Sequence, residues 1–279
     1  MNQMKTFILI AAMTGLLVWV GGYYGGQSGM VLALVIGLVM NGVSYFFSDK
    51  IVLASYGAKV VTQAEAPELY AIVANLAQRA GLPTPRIAII PDETPNAFAT
   101  GRDPEHAVVA VTEGIMRILS RPELEAVIGH ELGHVKHRDI LIGSLAAVLA
   151  QAIMFLSRMA MWVSPRDEEG RSNPLAGIAI MILGPLAALL LQMALSRSRE
   201  YLADDYSAHL TGRPDMLASA LERLHSSNEQ VPMQAAQPAT AHMMIVNPLS
   251  AGGLMSLFST HPPMAARVER LRRMPVEAR

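Results

Sequence analysis

Two histidines, His130 and His134, stand four residues apart with Glu131 directly after the first, in the run "VIGHELGHVKHRD". On a helix that spacing puts both imidazoles on one face, with Cβ atoms about 5–6 Å apart, so that both can reach one zinc ion at about 2.0–2.1 Å. Glu131 then lies beside the metal, where a carboxylate can take a proton from an attacking water, the chemistry of H-E-x-x-H hydrolases. Leu132 and Gly133 between the histidines, and a helix-start signal at Ser120, Pro122, Glu123 and Glu125, favour a metal site over coincidence. His137 sits among Lys136, Arg138 and Asp139 and reads as polar surface.

The chain has no cysteine, so a metal must be held by His, Asp and Glu. A catalytic zinc needs a third protein ligand and one open position. "SRSREYLADDYSAHL", residues 196–210, carries acids four apart on one helix face. Glu200 is the expected third ligand, and Asp204 the expected acceptor for the N–H of a ligand histidine, fixing its tautomer. Taken alone, the stretch also fits an ordinary helix with i,i+4 charge pairs.

The elements that must bring these residues together are unusually apolar. Of 279 residues, 52% are hydrophobic and 16% charged, against about 25% charged in a soluble domain. Residues 6–48 hold no charged side chain, room for two helical crossings around the turn "GGYYGGQSG". A secretory signal is the competing reading of the N-terminus, but no small-x-small site follows and a second apolar run comes at once. Further apolar segments at about 140–157 and 174–196 lie between His134 and Glu200. If both cross, the chain leaves and returns, and the ligands meet beside one membrane face. Gly143, Ser144 and Gln151 dot the third segment and Gly184-Pro185 interrupts the fourth, so a buried or re-entrant hairpin is the alternative. The HELGH helix has no Gly-Pro break before the third segment and is expected to run into it.

Between the second and third segments the sequence is of ordinary soluble type. "EAPELYAIVANLAQRAGL" has helical spacing, and "RIAII" and "HAVVAVT" read as strands separated by turn-forming "PDETPNAFATGRDPE". "HAVVAVT" is a candidate edge strand for an extended substrate. Helices are expected at about 198–210, at about 215–226 and after "HPP". Arg267, Arg270, Arg272 and Arg273 on the last one read as a solvated face in preference to a lipid contact. The stretch 228–253 lacks periodicity and is either a lid or a disordered loop.

The expected fold is therefore a mainly α membrane protein: four apolar transmembrane helices plus an α+β, zincin-like protease domain with a small sheet. Its parts are an N-terminal hairpin (1–50), a first protease part (51–139), a second hairpin (140–196) and a second protease part (197–279). A net charge of −1 shows no basic excess and excludes nucleic acid as a natural partner.

"HELGH", "SRSREYLAD", "LFSTHPPMAARVERL" and "NAFATG" together resemble the HtpX-type bacterial membrane zinc metalloproteases, relatives of the eukaryotic CAAX prenyl endopeptidases. The likeness spans nearly the whole chain. It implies one Zn2+ on His130, His134 and Glu200, Glu131 as base, and a gluzincin-like metalloendopeptidase that degrades misfolded inner-membrane proteins under stress. It also implies that His261 in "THPP" donates to the oxyanion, and that Asn96 lines the substrate cleft. The protease domain would be cytoplasmic: Lys5, Lys50, Lys59, Lys136, Arg138, Arg197 and Arg199 all fall on one side of a four-crossing arrangement. An intramembrane protease is disfavoured by the charges at Glu123, Glu125, Lys136, Arg138 and Asp139. The remaining alternatives are a prenyl-protein-type processing protease and a non-catalytic, zinc-stabilised scaffold or chaperone.

Overall fold

The computed structural model describes residues 2–163, 197–230, 240–246 and 262–275. The fourth apolar segment and His261 lie outside the described residues.

Helix α1 (Asn2–Ser55) doubles back at Gly26, whose φ of 55° and ψ of −145° suit a residue without a β-carbon. Its two arms are antiparallel, with Asn41 Nδ2 donating to Thr14 Oγ1 at 2.8 Å. Near the turn a β-carbon on Gly21 would fall 2.5 Å from the Gly29 carbonyl oxygen, so glycine is what allows the arms to close. The second arm, Gly25–Ser55, contains an 18-residue stretch of mean hydropathy 2.1. It turns Leu32, Leu38, Val39 and Phe46 outward. Among the described residues it is the one helix long and apolar enough to cross a bilayer.

The soluble part begins with β1 (Lys59–Val61), α2 (Pro67–Ala80), β2 (Arg86–Ile90), β3 (Ala97–Thr100) and β4 (Val108–Thr112). Gly81 ends α2 in the left-handed conformation expected of a helix-stopping glycine. The sheet order is β1-β2-β4-β3, with β2 and β4 parallel and both outer pairs antiparallel. This corrects two sequence expectations. The "turn" between the strands contains β3, a four-residue strand that the flanking Pro, Asn, Gly and Asp residues disguise. "HAVVAVT" forms the inner strand β4, every residue of which is buried, and the edge belongs to β3.

Strand β4 is apolar from Val108 to Val111, as suits a strand with both faces of the sheet covered. Val109 and Val111 pack with α2 and α4 (Arg121–Lys136). Val108 and Ala110 pack against Val52 and Leu53 of α1, Tyr56 just after it, and Ala147 and Val148 of α5 (Ile140–Val163). The sheet thus sits on the inner ends of the apolar helices. Short helix α3 (Glu113–Ile118) links β4 to α4, and Ser120 at the start of α4 donates through its backbone N–H to Glu123 at 2.8 Å.

Helix α4 does not run into the apolar segment. It ends at Lys136; Arg138 takes a left-handed φ of 56°, and α5 starts afresh at Ile140. The cause is local: Asp139 N–H returns to the His134 carbonyl at 2.9 Å, closing a turn that redirects the chain. The first turns of α5 are protein-facing, with Ile140, Ile142, Leu145 and Leu149 buried. Ser144 explains its polar character by bonding Thr100 Oγ1 and the Ile140 carbonyl, both at 2.7 Å. Helices α6 (Arg197–Thr211), α7 (Pro214–Gln230) and α8 (Met264–Arg272) complete the body and share one apolar core with α2 and α4.

Candidate metal centre

Helices α4 and α6 cross closely because α4 carries glycine where they touch. A β-carbon on Gly133 would lie 3.1 Å from Ala203 Cα, and one on Gly129 would lie 2.9 Å from Ser207 Oγ. The glycine inside HELGH is therefore a packing requirement between these two helices. Gly133→Leu is expected to force α6 away at a cost of about 1–3 kcal/mol and to separate Glu200 from the histidines. Metal analysis after equilibration against a buffered chelator should then find the variant depleted and the wild type loaded.

The crossing brings His130, His134 and Glu200 together, with one ligand atom from each within 4.8 Å of the others. His130 Nε2 is 3.2 Å from His134 Nε2. Glu200 Oε2 is 3.8 Å from His130 Nε2, and Oε1 is 3.5 Å from His134 Nε2. Donors bound at 2.0–2.2 Å to a tetrahedral centre stand about 3.3–3.6 Å apart. The triangle has the size that a zinc-sized ion requires, and its two nitrogens and a carboxylate are donors that such an ion takes.

Each histidine is oriented by its own aspartate. His130 Nδ1 lies 2.9 Å from Asp204 Oδ1, and His134 Nδ1 lies 3.5 Å from Asp139 Oδ2. With Nδ1 facing a carboxylate, each ring can keep its remaining proton there and offer Nε2 to an ion bound in the cluster. Asp204 is in turn gripped by Arg267, with Nε 2.9 Å from Oδ2 and Nη2 2.7 Å from Oδ1. The same guanidinium approaches Glu200 Oε2 at 3.5 Å and donates to the Ile245 carbonyl at 3.2 Å. Asp139 has Arg199 beside it, Nε to Oδ1 3.5 Å.

These neighbours set the protonation of the metal-free cluster. Burial pushes Glu131 up to about 7, reinforced by nearby Glu200. Burial also lowers His130. It opposes charge on His134 too, but Asp139, Glu200 and Glu131 outweigh it and raise that imidazole to about 9. Burial acts against the Asp204 carboxylate, yet Arg267 holds it down at about 2.

The Glu131 carboxyl lies near the backbone N–H of Ala99 on edge strand β3, which favours its charged form. A cavity of about 40 Å3 runs between them, lined among others by Ala99, the three clustered residues, Gly143, His242 and Ile245. Its far wall is the segment 240–246, which pairs with β3 through Ile245 N–H to the Ala97 carbonyl at 3.1 Å. Asn96 is fully buried and turned onto this wall: Nδ2 donates to the Val246 carbonyl at 2.8 Å, and Oδ1 accepts from Ala97 N–H at 3.1 Å.

Residues 63–275 match the family described as Peptidase family M48. The chain belongs to it. A "Protease HtpX homolog" of Thermococcus kodakarensis is 53% identical over 279 residues, covering 98% of this chain and 96% of its own. One of Ralstonia nicotianae is 55% identical over 276 residues, with 98% and 96% covered. The crystal structure of S. mikatae Ste24p is similar at TM-score 0.50 and 18% identity, covering 97% of this chain but only 65% of that longer one. M48 membership over most of the chain, with HtpX relatives end to end, makes this a membrane metalloendopeptidase, as its motifs suggest.

Three residues at the centre escape a reading by spacing. Asp139 passes for surface because the left-handed turn at Arg138 that buries it leaves no sequence signal. Arg267 passes for one of four solvated arginines, yet it is fully buried, while Arg270, Arg272 and Arg273 pair at the surface with Asp205, Glu222 and Glu269. Its place four residues before buried Leu271, on the inner face of α8, is the clue. His242, buried in the cavity wall with Nε2 3.2 Å from the Gly143 carbonyl, comes from a stretch without periodicity. His137, by contrast, is exposed as expected and rests near the Tyr206 ring.

Removing the Asp139 carboxylate should loosen His134. If His134 holds a metal ion, Asp139→Ala is expected to weaken metal binding about 10–100-fold, the usual result of losing the carboxylate that orients a ligating histidine. Asp139→Asn, which keeps an acceptor oxygen, should lose much less; chelator competition with both variants reads the difference.

Proposed function

We propose that this M48 metallopeptidase binds one Zn2+ through His130, His134 and Glu200 and hydrolyses peptide bonds of misfolded or damaged membrane proteins. The observation that carries the reading is the ligand triangle, with Glu131 on the same helix and in the same cavity. Bound there, zinc supplies Lewis acidity to the scissile carbonyl and to the attacking water.

The chain's own groups do the rest. Glu131 takes the proton of the water and passes it to the leaving amine. Asp204 and Asp139 hold the two imidazoles in register, and Arg267 holds Asp204. An extended substrate adds to the edge of β3 near Ala99, beside Glu131, through main-chain bonds that tolerate many sequences. Asn96 serves this cleft by fixing Val246 in its wall, and His261, just before Pro262, donates to the oxyanion. Such sequence tolerance suits quality control.

The apolar pieces 1–50 and 140–196 form two hairpins through a bacterial inner membrane, and 51–139 with 197–279 form the cytoplasmic protease domain. Support comes from the apolar arm Gly25–Ser55 and from the basic residues gathered at one end of the segments. The test uses full-length protein in detergent, stripped with a chelator and repleted. One zinc per chain and cleavage of an unfolded membrane protein that returns with zinc are expected. Stoichiometric zinc without cleavage of any unfolded substrate would instead favour a scaffold.

A further inference from the structure

A second cavity, of about 500 Å3, lies away from the metal centre where α1 meets the sheet domain. It is lined by Phe46, Phe47, Asp49 and Lys50 of α1 and by Arg86, Arg102 and His106. Phe46 and Phe47 are 56% and 45% exposed, unusual for phenylalanine beside charges. The Lys50 ammonium stands 5.2 Å from the Phe47 ring centroid, and the Arg102 guanidinium 5.6 Å from that of Phe46.

Depth along α1 says what surrounds this cavity. The arm turns at Gly26, and the twenty residues from there to Phe46 rise about 30 Å, the thickness of a hydrocarbon core. Phe46 and Phe47 therefore mark the hydrocarbon boundary opposite the turn, and Lys50, one helical turn on, lies among headgroups. Aromatic rings at the boundary with cations just beyond are what a phospholipid meets at its glycerol and phosphate.

The charge balance favours an anion. Lys50, Arg86 and Arg102 face the cavity against one lining carboxylate, Asp49, which pairs with Arg86. Asp103, next in the chain, pairs with Arg102 at 3.5 Å and with His106 at 2.6 Å. Lys50 pairs with no carboxylate among the described residues and is exposed.

We infer that this cavity binds the phosphate headgroup of an anionic phospholipid, with Lys50 and Arg102 as its cations and Phe46 and Phe47 against the acyl-glycerol region. A lipid held here would brace α1 against the loop that follows β3, the strand beside Glu131. The inference rests on α1 lying in the bilayer and is independent of which residues hold zinc.

Native mass spectrometry of the full-length protein in detergent tests it, with phosphatidylglycerol and phosphatidylcholine of identical acyl chains. The wild type should retain phosphatidylglycerol preferentially, and each cation removed should cut that preference about fivefold. Lys50→Gln, a change at an exposed side chain, is the first variant and Lys50→Gln/Arg102→Gln the second; Lys50→Arg should restore the preference. Zinc content and proteolysis measured on the same samples separate loss of this site from failure of the catalytic assignment. Equal retention of the two lipids by the wild type, or an undiminished preference in Lys50→Gln, overturns the inference. So does displacement of the bound lipid by millimolar inorganic phosphate, which would make the site one for a free anion.

Discussion

Glu131→Gln is expected to lower kcat/KM for a membrane-protein substrate by about 10²–10⁴-fold, the range for loss of a positioned general base. Zinc content should match that of the wild type, because Glu131 is not among the three clustered residues that could hold the ion. The amide is nearly the same shape as the acid it replaces, so the site should keep its packing. It cannot take a proton from water. Burial sets the Glu131 carboxyl near 7 in the metal-free protein, well above an ordinary glutamate and close to working pH. The position of this carboxyl beside the two histidines and in the same cavity is what places it to exchange a proton with a water there. Undiminished cleavage by this variant at unchanged zinc occupancy would remove Glu131 from the reaction.

Arg267→Met should be the most damaging single change outside the ligands. The guanidinium is fully buried, chelates Asp204 through two bonds and approaches Glu200. Removing it leaves buried carboxylates without their countercharge, at a cost of about 3–5 kcal/mol. The metal-free protein should show a correspondingly lower Tm, and bound zinc should recover part of the loss by supplying positive charge to Glu200.

A pH series distinguishes this from a simple cavity effect. Asp204 is depressed from an ordinary 3.8 to about 2, so its contribution is fully present above about pH 4 and disappears as pH falls towards 2. In the wild type that window should show a fall in stability that Arg267→Met largely lacks. An Arg267→Met protein with wild-type Tm and an unchanged acid limb would sever the link between Arg267 and Asp204.

The sequence alone determined the pieces that depend on nearby residues. His130, Glu131 and His134 share a helix because 3.6 residues per turn put positions four apart on one face, whatever lies around them. The helix start at Ser120 and Glu123, the stop at Gly81 and the apolar first segments are equally local, and β2 follows from its own β-branched run. The spacing of Glu200 and Asp204 offered a ligand and its support, but that they meet α4 depends on contacts between residues some seventy positions apart.

Only the tertiary structure decided which side chains surround those pieces. Whether β4 or β3 holds the edge is a matter of pairing order, and β3 is too short and too turn-like in composition to announce itself. Arg267 and Asp139 look like solvent-facing charges in sequence because burial of a charge is set by what packs over it. Here α6 brings both counter-ions, Asp204 for Arg267 and Arg199 for Asp139, to meet them. Helical periodicity carries information about a face, and the chemistry at this centre comes from three faces and one left-handed turn converging.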